Sequence, residues 1–180
     1  MGLDSKVIAI TGGSQGLGRA LAKACCREGA RVAIIGRNAA KLEAVREEVG
    51  ERVVCFPCDI GDSAEVSNTF KKIEAQMGGL DALVNNAGIY PIFKLETASD
   101  EQLRSVINTN LLGAMYACRE AIPRLKKSRG DIINVSSEAV RFYPPLLSVY
   151  TASKAALEAF SQSLRVELAP SGVRVAALRV

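Results

Sequence analysis

Short apolar runs recur along the chain: KVIAIT (6–11), RVAII (31–35), RVVCF (52–56), DALVN (81–85), DIINVS (131–136) and VRVAAL (173–178). They are rich in Val and Ile and lack the strict alternation of a strand with one wet face. Strands that are apolar on both sides belong to a parallel sheet covered by helices. The stretches between them carry helical patterns over 17–28, 39–49, 63–77, 101–127 with an interruption, and 151–168. Strand followed by helix, repeated from the first residues, predicts an α/β fold: a doubly wound parallel sheet flanked by helices on both faces and joined by right-handed crossovers. No repeat, linker or low-complexity tract divides residues 1–180, which read as one domain.

Composition fits this picture and excludes several alternatives. With 48% hydrophobic and 23% charged residues, the chain is neither disordered nor fibrous. The formal charge of +4 comes from scattered side chains, with KK at 71–72 and 126–127 as the nearest approach to a cluster. No basic stripe is interleaved with aromatics, so no nucleic-acid partner is expected. No apolar run reaches the length of a membrane span, and the start turns glycine-rich before a secretory segment is complete. A cytoplasmic location is expected. The five cysteines, at 25, 26, 55, 58 and 118, are odd in number and irregularly placed, which argues against a disulfide framework. Cys55 and Cys58 have CxxC spacing, but they lie at a strand end around Pro57, without a helix N-terminus or further ligands, so no metal site is expected. The absence of histidine removes Ser-His and Cys-His mechanisms, and any general acid must be another residue.

Candidate chemistry begins at the tip of the first strand, in TGGSQGLGRALA. Glycine-rich turns are common, but one placed between a strand and an amphipathic helix meets the condition for a dinucleotide fingerprint. Gly12 permits the tight turn, and Gly16 and Gly18 permit close approach of backbone to pyrophosphate and of helix to sheet. Ser14, Gln15 and Leu17 complete the expected cofactor-binding loop. The second strand ends in Gly36, Arg37 and Asn38, where an NAD site usually carries an acid. Arg37 suits a 2′-phosphate, so NADP(H) is favoured and NAD(H) stays open. Asp59 and Ile60 after the third strand are assigned to the adenine end. The NNAG segment after the fourth strand, chiefly Asn86, Ala87 and Gly88, is assigned to the cofactor crevice.

The motifs TGGSQGLG, NNAG, NTNLLG, NVSS and YTASK, in this order, resemble those of the short-chain dehydrogenase/reductase family, NADP-preferring type, across essentially the whole chain. The resemblance implies a Rossmann-type domain and hydride transfer between a nicotinamide and a carbonyl or alcohol carbon. It places the catalytic tetrad at Asn110, Ser137, Tyr150 and Lys154, with Tyr150 and Lys154 also touching the cofactor. Ser137 is preferred over Ser136 because it precedes Tyr150 by 13 residues, the family's usual separation. The residue types suit the reaction. A tyrosine hydroxyl can deliver a proton if a lysine about 4 to 6 Å away favours the phenolate. Ser137 would donate to the developing oxyanion, and Asn110 would anchor a water beside Lys154.

Phe142, Tyr143, Pro144, Pro145 and Leu146 suggest an apolar wall and hence a hydrophobic small-molecule carbonyl or alcohol substrate. The resemblance also implies a homodimer or homotetramer assembled through 101–127 and 151–168, whose Leu111, Met115, Leu157, Phe160 and Leu164 would then face outward; from the residues alone they could equally face only the sheet. Because the chain stops at ALRV, the last strand and substrate-loop region are expected to be missing, leaving a C-terminally incomplete domain. The alternatives are a weak or inactive nucleotide-binding regulatory protein of the same fold, or an NADH-dependent alcohol dehydrogenase.

Overall fold

The structure, a computed structural model, describes residues 2–180. Six parallel strands form one sheet: β1 (Val7–Thr11), β2 (Arg31–Gly36), β3 (Val53–Pro57), β4 (Ala82–Asn85), β5 (Asp131–Val135) and β6 (Arg174–Leu178). Their order is β3-β2-β1-β4-β5-β6, so the winding of the chain across the sheet reverses between β1 and β4 and leaves a crevice above the carboxyl ends of those strands. All five residues of β1 are buried, as continuous apolar runs in a covered parallel sheet should be.

Successive side chains of the strands feed two separate cores. Ile8, Ile10, Val32 and Ile34 pack with Ala22 and Cys26 of α1 (Gly16–Arg27) and with Leu42 and Val45 of α2 (Ala39–Val49). Ala9, Ala33, Ile35 and Leu83 belong to the other core, with Val66, Phe70 and Ile73 of α3 (Ser63–Met77). That core continues through α5 (Gly113–Ser128) and α7 (Ser148–Leu168) by way of Ala117, Leu125 and Leu164 among others, while α4 (Asp100–Ile107) and the short α6 (Ala139–Phe142) pack against α7. Local sequence sets the helix starts. Asn38 caps α2, Asp62 caps α3 by accepting from the N–H groups of Ala64 and Glu65, and Ser99 with Gln102 forms a capping box on α4.

Three expectations are corrected. The expectation of an incomplete sheet is corrected: the six strands form one continuous sheet, with VRVAAL, as predicted, the strand β6 registered along β5 from Asp131 opposite Arg174 to Val135 opposite Leu178. Leu157 and Leu164 are buried, which overturns the outward of the two placements left open for them. The interruption in the 101–127 pattern is a π turn at Asn108–Leu112, and α7 begins at Ser148, a few residues before the predicted 151.

Candidate active site

The glycine loop lies over β2, with the Gly12 and Gly13 N–H groups donating to Ile35 O at 2.8 and 3.3 Å. A side chain at Gly18 would collide with the Gly12 carbonyl and stand 2.6 Å from Asn86 Nδ2, so Gly18 serves close packing of α1 beneath the loop. Gly16 differs: its φ is +51°, and a Cβ built there meets nothing within 4 Å. The backbone at Gly16 therefore faces open space in a conformation that favours glycine. Gln15, the cap of α1, makes no side-chain capping bond, whereas α2, α3 and α4 are each capped by their own side chains. The first N–H groups of α1 remain for an anion in the crevice.

From there a cleft of about 480 Å³ runs along the sheet ends, lined by Gly12, Ser14, Gln15, Gly16 and Leu17 on one wall. Arg37, Asp59, Ile60, Asn86, Ala87 and Gly88 also line it, as do Ile89, Tyr90 and Thr109, which the motifs did not single out. Arg37 is exposed at the cleft rim. Asn38 is absent from the lining because its Oδ1 accepts from Lys41 N at 2.9 Å. Asp59 accepts from Gly61 N at 2.9 Å in a local turn. Asn86 clamps the glycine loop, donating from Nδ2 to Thr11 O and Gly12 O at 3.0 and 3.2 Å. Asn85, its neighbour in NNAG, turns under the sheet and donates to Asn134 Oδ1 at 2.8 Å. The shape and donors of this cleft fit a dinucleotide.

The four residues of the expected tetrad lie where β4, β5, the π turn and α7 meet. Lys154 is 4% exposed and donates from Nζ to Val135 O at 2.7 Å. Burial lowers its pKa to about 8. A Cβ at Gly88 would lie 3.4 Å from Lys154 Nζ and 3.5 Å from Asn110 Oδ1, so all three border one small space. Asn110, also buried, binds Ile89 on both sides: Oδ1 accepts from Ile89 N at 2.8 Å and Nδ2 donates to Ile89 O at 2.9 Å. Its second Nδ2 proton goes to Ser153 Oγ at 3.1 Å, and Ser153 donates to Tyr150 O at 2.6 Å. Tyr150, in the first turn of α7, is met edge-on by Tyr90, with ring centroids 6.1 Å apart. Ser137 Oγ accepts from Ala139 N at 3.2 Å, leaving its proton free for another acceptor. Ser136 is buried, and its Oγ donates to Glu158 at 2.7 Å.

Comparison with known proteins decides the family. The short chain dehydrogenase family model matches residues 6–179. The chain belongs to the short chain dehydrogenase family. Among the dehydrogenases it resembles is the 3-oxoacyl-(acyl-carrier-protein) reductase of Bos taurus, 39% identical over 171 residues that cover 94% of this chain and 72% of the relative. Another is carbonyl reductase family member 4 of Xenopus laevis, 36% identical over 95% of this chain and 72% of that protein. The crystal structure of a 3-ketoacyl-(acyl-carrier-protein) reductase from Brucella melitensis, complexed with NADH, superposes with a TM-score of 0.95 at 32% identity, covering 98% of this chain and 76% of the other.

The protein is an NAD(P)-dependent dehydrogenase/reductase that interconverts a carbonyl and an alcohol. The reading of a dehydrogenase lacking the family's last strand and substrate-loop region is corrected by the family match, which spans residues 6–179 and includes β6, paired along its length with β5. Motif reading of this dehydrogenase missed Ser153 and Tyr90. The serine inside YTASK was a usable signal, because it lies three residues after Tyr150 on the same helix. Tyr90 had none.

Proposed function

We propose that the protein reduces a ketone on an apolar substrate at the expense of NADPH, with Tyr150 as general acid. The observation that carries this reading is the convergence of Lys154, Asn110 and Gly88 on one space at the crevice, beside the α7 turn that bears Tyr150. The bound cofactor supplies the hydride to the carbonyl carbon. Gly12, Ser14, Gln15, Gly16 and Leu17 hold its pyrophosphate, Arg37 pairs with the 2′-phosphate, Asp59 and Ile60 flank the adenine, and Asn86, Ala87 and Gly88 line the path to the nicotinamide. Ser137 donates its free hydroxyl proton to the substrate oxygen as negative charge develops there. Tyr150 Oη then transfers its proton to the same oxygen, and the Lys154 ammonium stabilises the phenolate left behind.

Lys154 has three N–H donors, and Val135 O takes one. The others serve the cofactor ribose and a water bridging to the remaining lone pair of Asn110 Oδ1, which returns a proton toward Tyr150. Preference for NADPH is supported by Arg37 at the cleft rim and by the absence of a carboxylate at Gly36. An apolar substrate is supported by Tyr90, Ile92, Phe142 and Tyr143, all of which are exposed. The segments carrying them are joined where Phe93 N donates to Leu146 O at 3.3 Å. The names of the relatives make 3-oxoacyl thioesters the first substrates to try, beside aryl and alicyclic ketones. Pairing with a second copy is supported by the outward face of α7, where Val166 is exposed among small alanines at 152, 155 and 159.

The test is NADPH oxidation at 340 nm over that panel. At least one ketone is turned over, and Tyr150→Phe lowers kcat by roughly 1000-fold or more while NADPH still binds. A Tyr150→Phe variant that keeps its kcat would refute the assignment.

A further inference from the structure

Beyond the four motif residues, the structure contains a second set of bonds between α7 and the turn that carries Ser137. Glu158 stands one helical turn past Lys154 and two past Tyr150, on nearly the same stripe of α7. Its Oε1 accepts from Ser136 Oγ at 2.7 Å and from Arg179 Nε at 2.8 Å, and its Oε2 accepts from Arg179 Nη2 at 2.7 Å. The guanidinium fork thus holds the carboxylate in two places, a geometry that fixes orientation as well as distance. Ser136 is buried, and its own N–H donates to Leu178 O at 2.7 Å. On the other side of Ser137, Glu138 N donates to Val180 O at 3.0 Å.

The two bonds from α7 to this turn run in opposite senses. Lys154 donates to Val135 O, and Glu158 accepts from Ser136 Oγ. Residues 135 and 136 are therefore tied to the helix that bears Tyr150, and Ser137 follows them directly. Among the described residues the hydroxyl of Ser137 makes one hydrogen bond, from Ala139 N, so its place relative to Tyr150 is inherited from these neighbours.

We propose that Glu158, held by Arg179, is a positioning residue that sets the turn bearing Ser137 in register with Tyr150. The proposal rests on the assignment of Ser137 as oxyanion donor and goes beyond it by naming what aims that donor. Glu158 touches no reacting atom. It acts through Ser136, and Arg179 acts through Glu158. A carboxylate without its guanidinium would be free to rotate toward solvent, and a Ser136 hydroxyl without its acceptor would release the turn.

The test is a mutant cycle in the full chain with NADPH and an active ketone, reading kcat, KM and NADPH affinity separately. Glu158→Leu and Arg179→Met are each expected to lower kcat roughly 10- to 100-fold, as a donor misplaced by a fraction of an ångström to an ångström would. NADPH affinity should stay within twofold, and Glu158→Gln, which keeps an acceptor for Ser136, should recover part of the loss. In the unaltered chain Ser137→Ala costs roughly 100-fold or more in kcat. In the Glu158→Leu background the same change should cost less than tenfold, because the donor it removes is already misaimed. An undiminished Ser137→Ala cost in that background would overturn the proposal alone, since Glu158 would then serve stability only. A Ser137→Ala change without effect in the unaltered chain would sink the oxyanion assignment, and the proposal with it.

Discussion

Gly36 ends β2 at the place where the cofactor's adenosine ribose is assigned, and a Cβ built there meets only ordinary contacts, 3.7 Å from Leu42 Cδ2 and Ser14 Oγ. The position therefore accepts a carboxylate without rearranging the loop. Gly36→Asp is expected to weaken NADPH binding by roughly 10- to 100-fold through repulsion of the 2′-phosphate, and to leave NADH binding equal or tighter. Fluorescence titration with the two nucleotides checks this, and an unchanged ratio would remove the phosphate from this end of the cleft. Lys154 carries a pH signature of its own. Its pKa is lowered to about 8 by burial, so between that value and the ordinary 10.5 the unfolded chain binds the extra proton. The cost of burying the ammonium is fully present below pH 8 and is relieved as pH rises to 10.5. Relative to Lys154→Met, the unaltered chain should gain up to about 3 kcal/mol across that window in urea unfolding. A gap that does not change with pH would contradict the burial. At this scale the turn at Gly12 and Gly16 and the i,i+4 placement of Tyr150 and Lys154 on one helix were legible in the motifs, because both are local geometry. Asn38 was assigned to the cofactor but caps α2, and the place of Ser153 beside Asn110 depends on a bond to a residue 43 positions away in sequence.

Between elements, the π turn at Asn108–Leu112 carries Asn110 to the loop after β4. The amide of Asn110 then serves as the joint among three pieces of chain: the π turn, the Ile89 backbone and, through Ser153, the first turn of α7. Truncation at this position leaves the part-buried N–H and C=O of Ile89 without their partner, and an unsatisfied buried group costs about 1 to 3 kcal/mol. Asn110→Ala is accordingly expected to destabilise the fold by about 2 to 4 kcal/mol in chemical denaturation, and to lower kcat as well. A change below about 1 kcal/mol would mean that Asn110 does not hold this joint. The strands were legible because the middle of the sheet is covered on both faces, which makes β1 and β2 nearly continuous apolar runs; β6, at the edge, is exposed at Arg174, Ala176 and Leu178. The break in the 101–127 pattern was visible, but its nature was not: a π turn keeps apolar residues near helical spacing, and the sequence shows a disturbance without its sense. The start of α7 at Ser148 was missed because no capping side chain announces it.

In the whole molecule, the strand order puts its single reversal between β1 and β4, and the assigned chemistry is drawn from chain segments that end at that reversal. The pyrophosphate loop leaves β1, the Gly88 segment leaves β4, Ser137 follows the adjacent β5, and α7 packs across to supply Tyr150 and Lys154. Tyr90, Ile92, Phe142 and Tyr143 are exposed on segments joined by the Phe93–Leu146 bond, the surface proposed to meet an apolar substrate. Among the described residues, no helix is long and apolar enough to cross a membrane. The central claim is that this crevice brings a carbonyl carbon to the cofactor and a carbonyl oxygen to Ser137 and Tyr150. Reduction of an active ketone with NADPH deuterated at the transferring position, read by mass spectrometry of the alcohol, tests it most directly. The account predicts one deuterium on the carbinol carbon and none there when the label is supplied only by D2O; an alcohol whose carbinol carbon carries solvent deuterium instead would contradict it.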